Sequence, residues 1–107
     1  YNGWANYATW RINLEIFDGA DFTGYSNDEY ELSQQLRDYA EEIIFIDIPD
    51  GLAKDYAYAF LQEVRWTQIA KSIIANEEEN NVQISLVRLS VLHLLDKAPL
   101  LLLYRVL

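Results

Sequence analysis

The pattern of apolar and polar positions divides the chain into five segments, the first of them ambiguous. Tyr7, Trp10, Leu14 and Phe17 recur at helical spacing. Over the same stretch Trp10, Ile12, Leu14 and Ile16 alternate with Arg11, Asn13 and Glu15, as in a strand. Asn6 can cap a helix opening at Tyr7, because its side-chain oxygen can accept a free backbone N–H of the first turn. Asp18 to Tyr25, punctuated by Gly19 and Gly24, reads as a loop. Ser26 followed by Glu29 predicts a capping box, with Asp28, Glu29 and Glu31 in the turn where the helix dipole favours negative charge. Leu32, Leu36, Tyr39 and Ile43, with Ala40 and Ile44 beside them, predict an amphipathic helix to about Phe45, stopped by Pro49 and Gly51.

Asp50 then suits the cap of a third helix through Leu52, Tyr56, Ala59 and Phe60. A fourth follows Trp66, with Ile69, Ala70, Ile73 and Ile74 on one side, and the polar run Asn76 to Asn81 is expected to end it. The last segment, Val82 to Leu95, reads as helix through Val82, Leu86, Leu89 and His93. Val87, Val91 and Leu94 make it apolar nearly all round, as in helices that are buried or packed on a partner. The expected fold is all-α, a compact bundle of about four to five short helices. The expected division is an acidic helical domain over 1–81 and a Leu-rich segment over 82–107, packed on the domain or on a second copy in a homodimer.

Charge sharpens this division. Of 107 residues, 17 are Asp or Glu and 8 are Lys or Arg, for a net charge of -9. Residues 1–50 hold eleven acids and two bases; residues 51–107 hold six of each, so the whole excess lies in the first half. An acidic surface of this kind is repelled by nucleic acid and by anionic membranes, and neither is expected as a direct partner. Arg88, His93, Asp96, Lys97, Pro99 and Arg105 interrupt the Leu-rich segment too often for a membrane span. The opening Tyr1-Asn2-Gly3-Trp4 lacks the basic region and apolar run of a signal peptide, so a cytoplasmic setting, that of a host cell, is expected.

Little catalytic chemistry is on offer. With no Cys and one His, disulfides, thiolate catalysis and His- or Cys-built zinc sites are excluded. Asp18 to Glu29 has the twelve-residue length of a calcium loop, but Ala20, Phe22 and Thr23 stand where two ligands and an obligatory glycine belong. The carboxylates at Asp38, Glu41 and Glu42, and at Glu77 to Glu79, sit on polar stretches without a pocket to shift a pKa. His93, with Asp96 three residues on, has no recognisable nucleophile and reads as a packing residue. No enzyme activity, metal or cofactor is expected.

The spacing Asn2-Gly3-Trp4, Asn6-Tyr7, Thr9-Trp10, Asn13-Leu14 resembles the opening of a family of small phage, plasmid and bacterial proteins of unknown function, and Val64-x-Trp66-x-x-Ile69-Ala70 resembles a later helix start in it. The likeness brackets residues 2–75. It implies helix over 7–17, an α-rich fold and a mobile-element setting, and it implies no catalytic residue. Arg65 stands where such proteins often carry an acid, and the Leu-rich tail is unlike their short polar ending. Together with the lopsided charge, the likeness leads to the expectation of a non-enzymatic inhibitor of a host defence nuclease, CRISPR or restriction. Asp28, Glu31, Asp38, Glu41 and Glu42 would imitate phosphates, since duplex DNA carries one charge per ~1.7 Å of axis. The alternative is an accessory interaction module docking through its aromatic N-terminus or its Leu-rich C-terminus.

Overall fold

A computed structural model describes residues 1–97. The protein is all-α, and among the described residues there is no strand. Helix α1 covers Tyr7–Ile12 and runs into a π-helical turn over Asn13–Phe17; α2 covers Glu29–Phe45, α3 Leu52–Gln62 and α4 Trp66–Lys97. Contacts divide the chain into a unit ending at Ile74 and a second beginning at Ala75.

The core of the first unit is built from Ala8, Ile12 and Phe17, from Leu32, Leu36 and Ala40 of α2, and from Leu61, Val64, Ile69, Ala70 and Ile73. Leu32, Leu36 and Ile69 are fully buried, a contribution of roughly 1.5–3 kcal/mol each. Helix over 7–17 is observed, but the expected inward stripe is not: Tyr7 and Leu14 are exposed, and Ala8, Thr9, Ile12 and Phe17 face the core. The π turn explains the shift. Asp18 donates its backbone N–H to the Asn13 carbonyl at 2.8 Å, a five-residue step. The wider turn brings Phe17 onto the side of Ile12, where a regular α-helix would turn it away. Gly19, at φ +75, then ends the helix in a conformation that costs a side-chain-bearing residue about 1–2 kcal/mol.

Three further expectations are corrected. In α2 the stripe starts inward at Leu32 and Leu36, but Tyr39 and Ile43 are exposed and Ala40 is buried in their place. At 100° per residue Tyr39 and Ile43 lie as near the direction of Leu32 and Leu36 as Ala40 does, so the choice of Ala40 is made by what packs against α2 and not by helical periodicity. In α3 Leu52 and Tyr56 are exposed and Leu61 is the buried residue; Asp50 makes no cap and instead holds Lys54 at 2.9 Å, leaving Gly51 as N-cap. The polar run Asn76 to Asn81 does not end α4, which continues to Lys97. No Gly or Pro occurs between Trp66 and Lys97, and polar residues alone are compatible with an exposed helix. The compositional boundary after Asn81 therefore falls inside this helix. Of the Leu-rich segment, 98–107 lies outside the described residues.

Candidate functional site

The acidic residues of interest sit on α2, and its N-terminus fixes the first two. Asp28, not Ser26, is the N-cap: its carboxylate accepts the Glu31 backbone N–H at 2.9 Å. Ser26 supports the turn from outside the helix, accepting the Asp28 N–H at 3.0 Å and donating its hydroxyl to Glu31 Oε2 at 3.1 Å. The expected box between Ser26 and Glu29 is thus displaced by two residues, because Asp28 caps as well as serine does and lies nearer the first apolar turn.

Farther along, the carboxylates separate by environment. Glu41 is half-buried and is held by Arg37 Nε at 3.1 Å, a contact that raises the Arg37 pKa further above its ordinary range, through the hydrogen bond first and the charge second. Asp38 and Glu42 are exposed and make no hydrogen bond or ion pair among the described residues. On a helical projection Glu31, Asp38 and Glu42 cluster opposite Leu32, Leu36 and Ala40. At 1.5 Å per residue they lie ~10 Å and ~6 Å apart along the axis. Of the five expected residues, α2 therefore aligns three as an outward ridge, uses Asp28 as a cap, and neutralises Glu41 locally. The bases Arg11, Arg37 and Lys54 are each paired within their own helix region, to Glu15, Glu41 and Asp50.

The aromatic-polar motif at the N-terminus is largely structural. Asn6 caps α1, accepting the Thr9 N–H at 2.9 Å and its hydroxyl at 2.7 Å, and donates its amide to the Glu63 carbonyl at 2.8 Å. The Ala5 N–H reaches Gln68 Oε1 at 2.9 Å. Polar groups spaced 57 and 63 residues apart thus tie the N-terminus to the α3–α4 turn and to the start of α4. Tyr1, Tyr7 and Trp10 pack ring against ring at 5.1–5.8 Å on the outside of α1, and Tyr7 also meets the edge of Phe60.

One concave feature was not anticipated from the sequence. Phe17, Phe22, Tyr25 and Tyr39, with Ala20 and Asp21, line a cavity of about 60 Å³ between the loop and α2. The signal was present in the loop itself: residues 18–25 carry Phe22 and Tyr25 together with two acids, Asp18 and Asp21, and no base. Asp21 Oδ1 accepts both the N–H and the hydroxyl of Thr23, at 2.9 and 2.7 Å, and these bonds hold its carboxyl below the ordinary value of 3.8. Among the described residues no group of three or more His, Asp or Glu side chains is suited to a metal ion, and no helix is long and apolar enough to cross a membrane.

No family model matches the chain, and no curated protein and no solved structure is significantly similar to it.

Proposed function

We propose that this is a non-enzymatic protein of a phage or other mobile element that inhibits a host defence nuclease, CRISPR or restriction, by presenting the α2 ridge to the nuclease's nucleic-acid groove. One observation carries the reading. Glu31, Asp38 and Glu42 project from the face opposite the core, and neither Asp38 nor Glu42 has a counter-cation among the described residues. A row of unpaired carboxylates at nanometre spacing presents to a basic groove a field of the same sign as a phosphate backbone. Such complementarity speeds association and weakens with salt. The N-terminal motif supplies the mobile-element setting by resemblance. The direct test is a DNA-cleavage assay with restriction and CRISPR nucleases, run with the parent chain and with a variant carrying Asp38→Lys and Glu42→Lys.

A second reading rests on a different observation. Between Val82 and Leu95 nine large apolar side chains are 46–68 % exposed. Ile84, Val87, Val91 and Leu94 follow the 3–4 spacing of a coiled-coil seam, and Val82, Leu86, Leu89 and His93 form another. Residues 82–97 carry one acid and two bases, so two copies meeting there avoid the -9 of the first half. In this reading α4 is an association segment for a second copy of the chain.

A further inference from the structure

The cavity beneath the 18–25 loop has the make-up of a cation-binding cage. Phe17 is its floor, at 3 % exposure. Phe22 and Tyr39 stand over it, with ring centroids 6.3 and 6.2 Å from that of Phe17 and planes tilted by 36° and 44°. Tyr25 closes one side, edge-on to Phe22 at 6.0 Å. Here aromatic rings provide most of the lining and Asp21 is at the rim. Its Oδ1 is fixed by the two Thr23 contacts, while its Oδ2 accepts no hydrogen bond among the described residues. From Asp18 to Glu31 the chain has five acids and no base, so no internal cation competes from this stretch.

We propose that Phe17, Phe22, Tyr25, Tyr39 and Asp21 form a binding site for a small N-methylated ammonium group. The ring faces carry the negative part of the aromatic quadrupole and attract a cation whose methyl groups shed water readily; Asp21 adds a formal charge. The cavity of about 60 Å³ has room for several waters, one of which needs about 10–15 Å³ of such space. It accommodates a compact methylated head, not a sugar or a nucleobase. The head could belong to a methylated lysine side chain or to a choline-like small molecule. Both carry the chemistry the cage recognises.

Two-dimensional NMR of the full chain tests this, with titrations of tetramethylammonium, choline, Nε-dimethyllysine and unmethylated lysine. The neutral control is tert-butyl alcohol, which offers the same methyl groups without the charge. Saturable shifts centred on Asp21, Phe22, Tyr25 and Tyr39 are expected with the methylated cations, and binding about tenfold weaker with the neutral control. A preference for dimethyllysine over choline identifies a modified protein as the source, and the reverse identifies a small molecule. Asp21→Asn and Tyr39→Leu should each weaken binding several-fold; Tyr39 is already 43 % exposed, so its removal leaves the fold in place. The proposal is overturned if the neutral alcohol binds as well as the cations, which would make this a plain apolar pocket. It is also overturned if no methylated cation shifts these signals at concentrations of tens of millimolar.

Discussion

Thr9 Oγ1 accepts the backbone N–H of Arg65 at 2.9 Å, so a buried hydroxyl in the first helix satisfies a donor at the start of the last one. The same hydroxyl donates to Asn6 Oδ1, which makes Asn6, Thr9 and Arg65 one network, with Thr9 and Arg65 56 residues apart in the chain. The hydroxyl of the Thr side chain is needed here: valine has the shape without the oxygen. Thr9→Val should destabilise the protein by about 1–3 kcal/mol, the cost of a buried donor left without an acceptor, whereas Thr9→Ser should retain most of the stability. Urea denaturation followed by tryptophan fluorescence measures both. Equal loss in the two variants would mean that the methyl group, not the network, matters.

The cap of α2 offers a sharper comparison. Asp28→Ala removes the acceptor of the Glu31 N–H and should cost about 1 kcal/mol. Glu29→Ala removes only a favourable charge in the first turn and should cost no more than about 0.5 kcal/mol. Thermal melts of the two variants check the order. The reverse order would restore the capping box at Ser26 and Glu29.

Asp21 should titrate below the ordinary Asp value of 3.8, chiefly because the Thr23 hydroxyl and then its N–H bond the ionised form. A carboxyl whose pKa is depressed by folding binds its proton more weakly in the folded state. Its stabilising effect is therefore present above about pH 3.8 and is lost as pH falls through the lower folded value. Carboxyl-carbon NMR titration should show this depression, and Thr23→Val should move the midpoint up toward the ordinary value. An unchanged midpoint in the variant would remove Thr23 as the cause.

If α4 joins two copies, Val91→Glu and Leu94→Glu together should convert a concentration-dependent oligomer into a monomer in light scattering. Burying two like charges per copy in a seam is strongly unfavourable. A parent chain that stays monomeric at every concentration measured would exclude this reading.

How far the fold could be read depends on which physical signal each element carries. The helix over 29–45 was legible because Leu32 and Leu36 lie four apart among acids and Gln, and Pro49 and Gly51 follow. Its inward face beyond Leu36 was not, because Tyr39 and Ile43 are as apolar as the Ala40 and Ile44 that pack inside. The α1 face departs from the sequence pattern for a geometric reason: helical periodicity assumes 3.6 residues per turn, and the five-residue step at Asn13 to Asp18 breaks that count. The end of a helix at Asn76 to Asn81 was inferred from polarity, which marks exposure rather than termination. Among candidate site residues, exposure at Asp38 and Glu42 followed from their place opposite the stripe. The Arg37–Glu41 pair follows from i, i+4 spacing, but which carboxylate a base selects is a matter of rotamer and burial. The aromatic cage needed the tertiary fold, since Tyr39 joins Phe17, Phe22 and Tyr25 only when α2 packs under the loop.

The most direct measurement is cleavage of plasmid DNA by restriction and CRISPR nucleases at rising salt, with the parent chain and the variant carrying Asp38→Lys and Glu42→Lys. Two reversals change the ridge by four charge units, and both sites are exposed, so the variant should fold like the parent. The parent should suppress cleavage by at least one of these nucleases, suppression should fade as salt rises, and the variant should suppress none. A folded variant that inhibits as well as the parent, or inhibition that persists undiminished at high salt, would contradict the proposed function.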